Sequence, residues 1–205
     1  MRRRTIALTS VALFTATLLL TGCAQDTSTG GTPGMDHGSA PMTPPLSATT
    51  SNSADQMFLT MMIPHHEQAI EMADAILGKD GVDPRVTALA QQIKDAQDPE
   101  IETMKSWLTD WGMPYDDATS SGMGSMDPAD GMMPEEDMAA LAAATGTEAT
   151  RLFLEGMIDH HLGAVEMAQS VMGNGQNPAL ADLAEQIIDA QTAEIATMRE
   201  ILDSL

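Results

Sequence analysis

One segment of this chain occurs twice, and this duplication restricts the fold more than any other feature. The pattern Met-x-x-His-His-x-x-Ala-x-x-Met-Ala begins at Met62 and again at Met157. A second pattern, Gln-x-x-Glu-Ile-x-x-Met, follows each copy and begins at Gln97 and at Gln191. A repeat of two helical stretches is too short to bury its apolar faces alone, so we expect the copies to pack on each other about a pseudo-twofold axis. That packing would bring both histidine pairs towards one shared region.

Apolar residues recur at the helical period through both copies, and no segment shows the alternation typical of strands. We predict helices over residues 54–77, 84–110, 148–172 and 178–202, with a further short helix over 135–144. Ser53 or Asp55 is the predicted N-cap of the first helix. Pro64 is expected to kink or break that helix just before the first histidine pair. Two such hairpins joined by a crossover make an all-α four-helix bundle.

The N-terminus has the features of an export signal: arginines at positions 2–4, an apolar run over residues 6–20, and then Leu-Thr-Gly-Cys ending at Cys23. Those last four residues resemble a bacterial lipobox, which predicts that Cys23, the only cysteine, carries a lipid. The alternative is an ordinary secretory signal with an incidental cysteine. No later apolar run approaches the roughly 20 residues of a spanning helix. We therefore expect an extracytoplasmic lipoprotein anchored to the cell membrane.

These features predict the organisation of the chain. A signal peptide occupies residues 1–22, and a flexible tether rich in Thr, Ser, Gly and Pro occupies 23–52. The bundle domain occupies 53–205. Its two repeats cover 53–110 and 147–205, and a crossover rich in Met and Gly joins them over 111–146.

The chain is acidic, with a formal net charge of −21 at pH 7. A field of that sign repels the phosphate backbone, so nucleic acid is excluded as a natural partner. The default interpretation of the acidic surface is that it keeps the protein soluble. The functional alternative is that it accumulates cations, an effect that is weak and non-selective.

The histidine pairs are the candidate metal site. Adjacent helical residues point about 100° apart, so each pair directs one imidazole into the bundle and the other along a neighbouring seam. Imidazole and thioether together suit a soft metal, with copper(I) as the best candidate and silver(I) as its mimic. Imidazole binds metal only when neutral, so binding should weaken below a pH of about 6.5. The candidate ligands are His65, His66, His160, His161, Met62, Met72, Met157 and Met167, with Met104 and Met198 approaching from the paired helices.

Three points about these residues stay open at the level of sequence. The bundle methionines all occupy helical core spacing, so they are equally consistent with ordinary core packing. Glu71 and Glu166 follow the histidine pairs and either orient an imidazole or are surface charges. Methionines outside the helical stripes suggest loose metal capture; with His37 they are Met35, Met42, Met123, Met126, Met132, Met133 and Met138.

Both copies of the histidine motif, together with the Gln-x-x-Glu-Ile-x-x-Met strings, resemble the bacterial "domain of unknown function 305" family over roughly residues 53–205. The resemblance implies a ferritin-like helical bundle exported to the cell envelope, with some relatives linked to copper binding and copper tolerance. From the histidine and methionine pattern we predict a non-catalytic protein that binds copper(I) for buffering, delivery or tolerance. A copper-handling partner protein and a homo-oligomer are further hypotheses.

The sequence also bears on other function classes. A di-iron oxidase needs Glu-x-x-His motifs, and the sequence contains none, which argues against an enzyme of that type. Nucleophilic hydrolysis is disfavoured because no G-x-S-x-G turn is present. The alternatives that stay open are a metal-free interaction module and an oxidant scavenger whose methionines are oxidised and then reduced again.

Overall fold

The computed structural model describes residues 50–116 and 131–205, and all regular structure in these ranges is helical. The all-α prediction is confirmed, and every predicted helix is present with ends within two residues of those expected. The predicted lipidation site Cys23, the tether residues Met35, His37 and Met42, and the crossover residues Met123 and Met126 lie outside the described residues. Helix α1 spans Ser53–Leu77, α2 Pro84–Asp110, α3 Glu135–Ala143, α4 Gly146–Asn174 and α5 Pro178–Asp203.

The first helix begins one residue earlier than predicted, because its N-cap is Asn52. The Asn52 side chain accepts a hydrogen bond from the Asp55 backbone N–H at 3.0 Å. The Asp55 carboxylate in turn accepts one from the Asn52 backbone N–H at 2.8 Å. This reciprocal pair is a capping box, with Asp55 at the third helical position. The prediction of Ser53 or Asp55 as the cap residue was therefore wrong.

Helix α1 does not break at Pro64. It continues as one helix from Ser53 to Leu77 although proline cannot donate a bond to the carbonyl of Thr60. The neighbours Ile63 and His65 are both fully buried, and their packing stabilises the helix across the missing bond. Pro99 lies inside α2 in the same way.

The long helices form two hairpins, α1 with α2 and α4 with α5, and the hairpins meet through α1 and α4. These two helices are antiparallel, because the start of each lies beside the end of the other. The Asn52 side chain donates to the Asn174 carbonyl at 2.8 Å, and the Gly146 N–H donates to the Asp80 carbonyl at 3.2 Å. Helix α3 packs on both α1 and α4.

Each hairpin turn is also tied to the first turn of the opposite hairpin. The buried Asp55 carboxylate accepts hydrogen bonds from the backbone N–H groups of Gln176 at 3.1 Å and Asn177 at 3.4 Å. At the equivalent place in the second repeat, the Thr150 hydroxyl accepts one from the Asp83 N–H at 3.3 Å. The two ties occupy matching positions, as the duplication predicts.

The core consists of two apolar clusters. One is built from the end of α1, the start of α2, the start of α4 and the end of α5. The other is built from the opposite ends of the same four helices. Along each helix, polar residues lie between the parts that enter the two clusters.

Residues 131–144 of the crossover cover the first cluster. Gln68 fixes this segment by accepting from the Met133 backbone N–H at 2.8 Å and donating to the Met133 carbonyl at 2.9 Å. The Met133 side chain is buried in the first cluster, and Met138 packs against it while partly buried. The interpretation of these two methionines as free capture sites was therefore wrong, because both contribute to apolar packing.

Candidate metal centre

A layer of polar residues separates the two apolar clusters, and each long helix contributes two members. We call it the central polar layer. In this layer all four histidines are at most 1% exposed. Its members are His65 and His66 on α1, Gln97 and Glu100 on α2, His160 and His161 on α4, and Gln191 and Glu194 on α5.

The structure brings the two histidine pairs together, as the duplication predicts. The rings of His65 and His160 lie with their centroids 3.7 Å apart and their planes 39° apart. These two residues are first in their pairs, and they meet where α1 packs on α4. The ring of His161 is 6.3 Å from that of His160.

The second histidine of each pair is held by a carboxylate from the adjacent helix of its own hairpin. The His66 Nε2–H donates to Glu100 Oε2 at 2.9 Å, and the His161 Nε2–H donates to Glu194 Oε2 at 2.8 Å. An ionised carboxylate only accepts, so the proton of the neutral ring is on Nε2 and the lone pair is on Nδ1. A carboxylate in this position is the usual partner of a metal-binding imidazole.

Glu71 and Glu166 do not have this role. Both side chains are exposed, so the hypothesis that they orient an imidazole was wrong and their alternative as surface charges holds. They lie on the outward side of α1 and α4, whereas Glu100 and Glu194 lie on the neighbouring helices that face the pairs. Sequence proximity to the histidines was a misleading guide, because the partner comes from across the hairpin.

Several buried ring nitrogens have no hydrogen-bond partner among the described residues. They are a ring nitrogen of His160 and the Nδ1 atoms of His66 and His161. A buried polar atom without a partner costs about 1–3 kcal/mol, so a cluster of them needs an explanation. A bound ion is one such explanation, and an imidazole lone pair is a good metal donor.

The protonation state of the layer suits metal binding. Burial lowers the pKa of His160 well below its ordinary value, and the nearby imidazoles of His65, His161 and His66 lower it further. Burial also lowers the pKa of His161, although the hydrogen bond that the ring donates to Glu194 opposes the shift. Both rings are therefore neutral at pH 7, the form in which imidazole binds metal.

The predicted methionines have different surroundings. Met62 and Met157 are fully buried one helical turn before His65 and His160. Met104 and Met198 are also fully buried, one turn after Glu100 and Glu194 on α2 and α5. Met72 is fully buried in the first cluster.

Met167 differs from these five. It is partly exposed, packs against the second cluster and lines a surface cleft, so it does not match its equivalent Met72.

Within residues 50–116 and 131–205, no three side chains of His, Cys, Asp or Glu are arranged to hold a metal ion by themselves. The same ranges contain no helix with the length and apolarity required to cross a bilayer.

Sequence reasoning missed Glu100 and Glu194 as partners of the histidines. The signal was present, because Gln-x-x-Glu occurs at equivalent places on α2 and α5 and supplies all four non-histidine members of the layer. The glutamines are buried as well, and their Oε1 atoms have no hydrogen-bond partner in the part of the chain that the structure describes.

Comparison with known proteins gives a consistent family. The family model "Domain of unknown function (DUF305)" matches residues 55–202, more than two thirds of the chain. A DUF305 fragment from Deinococcus radiodurans is similar at 30% identity and a TM-score of 0.67, over 76% of this chain and 99% of the other. A DUF305 protein from Streptomyces coelicolor, described as secreted, is similar at 30% identity and a TM-score of 0.65, over 74% of this chain and 93% of the other.

The protein CopM in its Cu(I)-bound form is similar at 34% identity and a TM-score of 0.59, over 73% of this chain and 96% of CopM. CopM is also known in Cu(II)-bound and silver-bound forms. No curated protein matches the sequence. The chain therefore belongs to the DUF305 family, as the repeated motif, the helical fold and these similarities show.

Proposed function

We propose that this protein is an extracytoplasmic lipoprotein, anchored through Cys23, that binds copper(I) for buffering, delivery or tolerance. Its folded part, residues 53–205, is proposed to be a ferritin-like four-helix bundle made by duplication of a hairpin. Silver(I) is expected to bind in place of copper(I), and the role is non-catalytic. The proposed ligands are His65, His66, His160 and His161 with Met62, Met72 and Met157, and Met104 and Met198 complete the set. Met167, the remaining methionine that the sequence predicted as a ligand, lines a surface cleft and is not part of this proposed set.

The observation that carries the proposal is the set of buried imidazole nitrogens without partners. His160, His66 and His161 each contribute such an atom. The residues therefore fit a metal that takes neutral nitrogen donors. Buried thioethers one turn from the histidines supply the soft donors that favour copper(I) over harder cations.

Charge supports a cation in the central polar layer. Glu100 and Glu194 are the acidic members of the layer, and their exposed fractions are only 24% and 9%. A monovalent cation beside them would reduce the net negative charge of the layer. The carboxylates would also keep the imidazole rings oriented through Nε2 while Nδ1 faces the ion.

Similarity to CopM supports the choice of metal. That protein has been obtained with Cu(I), Cu(II) and silver bound, and it shares about a third of its residues with this chain over most of its length. Copper in this proposal is cargo, so the protein would act by holding the ion and releasing it to another site.

The test is a copper(I) competition titration of the full chain against a calibrated chelator, with zinc(II) and iron(II) as comparisons. The double variant His65→Leu/His160→Leu removes the two imidazoles that meet between α1 and α4 and keeps apolar volume in the core. We expect it to lower copper(I) affinity by at least about 100-fold, more than loss of a partner residue alone would. Glu71→Gln, an exposed change on α1, is the matched control and should bind as the unchanged protein does.

Circular dichroism checks that each variant is folded. Folded H65L/H160L protein with unchanged copper(I) affinity would contradict the proposal. The metal-free interaction module and the methionine-based oxidant scavenger would then be the leading accounts.

A further inference from the structure

A methionine-lined cleft opens on the surface between the start of α1 and the end of α4, away from the central polar layer. Its volume is about 290 Å³. Met57 is 63% exposed, while Met61 and Met167 are partly buried. We call it the methionine cleft, and its lining consists of Ala54, Met57, Phe58, Met61, Met167, Ser170, Val171 and Asn174.

The three methionines are placed so that their sulfurs can converge. Met57 and Met61 are one turn apart on α1, where side chains four residues apart are neighbours. Met167 faces them from the antiparallel helix α4. Each methionine has three rotatable side-chain bonds and adapts its position easily. The lining contains no charged residue, and among its side chains the thioethers are the donors that suit a soft cation.

Two of the three matching positions in the other repeat carry different side chains. The residues equivalent to Met57, Met61 and Met167 are Leu152, Gly156 and Met72. A Cβ atom at Gly156 would collide with the methyl group of Met133 and lie 3.5 Å from that of Met72. The crossover therefore places the buried Met133 side chain here, and an open pocket of about 410 Å³ that Leu152, Gly156 and Met133 help to line remains beside it.

No described residue fills the methionine cleft in the same way. Met57 is largely exposed, so it buries too little surface for core packing to explain it. At one pseudo-symmetric place a methionine of the crossover is buried in the core, whereas at the other Met57, Met61 and Met167 line an open cleft.

We propose that Met57, Met61 and Met167 form a second, surface site for a monovalent soft metal ion, copper(I) or silver(I), held by thioether sulfurs. The site is separate from the central polar layer and needs none of its histidines. Thioethers hold no proton at neutral pH and select copper(I) over zinc(II) or calcium(II).

The test combines a measurement of copper(I) stoichiometry with NMR of the methionine methyl groups, both on the full chain. The triple variant Met57→Leu/Met61→Leu/Met167→Leu keeps apolar bulk and removes all three sulfurs. It should bind one copper(I) equivalent fewer than the unchanged protein. Met172→Leu changes another exposed methionine of α4 that is not part of the lining, and it should lose none.

Methyl-¹³C-methionine NMR with silver(I) locates the ion, with signals assigned from single Met→Leu variants. The methyl signals of Met57, Met61 and Met167 should shift together. Unmoved signals, or a folded triple variant with full stoichiometry, would overturn the proposal. The H65L/H160L variant should still bind the one copper(I) ion that is assigned to the methionine cleft. Failure of the cleft site and failure of the central site are therefore distinguishable.

Discussion

The second histidine of each pair depends on one carboxylate. Glu194 is the more enclosed of the two, because its other oxygen also accepts from the Gln92 side chain at 3.5 Å. Without the carboxylate, the buried Nε2–H of His161 would lose its acceptor, and the ring would lose the contact that fixes its tautomer and orientation.

We expect Glu194→Ala to weaken copper(I) binding by about 10- to 100-fold, the usual effect of removing such a partner. The measurement is the same competition titration. Glu166→Ala is the matched control, because Glu166 is an exposed glutamate five residues after His161 in the sequence. Equal losses in the two variants would show that overall charge, and not the hydrogen bond, determines affinity.

The buried histidines also make the metal-free protein sensitive to acid. The pKa of His160 and of His161 is lowered in the folded state, whereas in the unfolded chain each lies near 6.5. Below pH 6.5 the unfolded chain therefore binds protons that the folded protein does not. Stability is fully present above that pH and falls below it, by at most about 1.4 kcal/mol per pH unit for each histidine.

Urea unfolding at pH 7.5 and pH 5.5 measures this effect. The difference in free energy of unfolding between the two pH values should shrink in His160→Leu, since one titrating group has been removed. An unchanged difference would mean that His160 is already protonated in the folded state or that its neighbours dominate the response.

At the level of elements, the ties between hairpins differ in strength although their positions match. Asp55 combines a capping box with two bonds from the opposite turn, whereas the Thr150 hydroxyl accepts a single bond from the Asp83 N–H. Bonds to a charged group contribute roughly 1.5–3 kcal/mol, about twice those between neutral groups.

Asp55→Ala should therefore lower the free energy of unfolding by about 2–4 kcal/mol, and Thr150→Ala by about 1 kcal/mol. Chemical denaturation of both variants gives the comparison. Equal losses would imply that the α4–α5 turn finds other acceptors when Asp55 is removed.

At the scale of the whole molecule, like charges dominate the surface. The chain has 30 acidic and 9 basic residues. The ion pairs among the described residues, such as Lys94–Asp74 and Lys105–Glu67, are at the surface and contribute little each. The net repulsion disfavours the compact state.

Salt should therefore stabilise this protein. Raising sodium chloride from about 10 to 300 mM shortens the screening length from roughly 30 Å to below 8 Å, so the melting temperature should rise. A melting temperature that falls with salt would show that the surface ion pairs outweigh the repulsion. Potassium chloride should act equally, since the effect depends on ionic strength and not on the ion.

The sequence by itself determined the helices, the duplication and the meeting of the histidine pairs. Helical periodicity and the repeat are local patterns, and α2 begins at Pro84 and ends at Asp110 as predicted. Only the tertiary structure decided which carboxylates hold the histidines, that Met133 fills the core, and that Met167 lies in a cleft with Met57 and Met61. These depend on contacts between helices far apart in the chain. Helical period assigns a residue to a face, but the packing of the other helices decides what that face contacts.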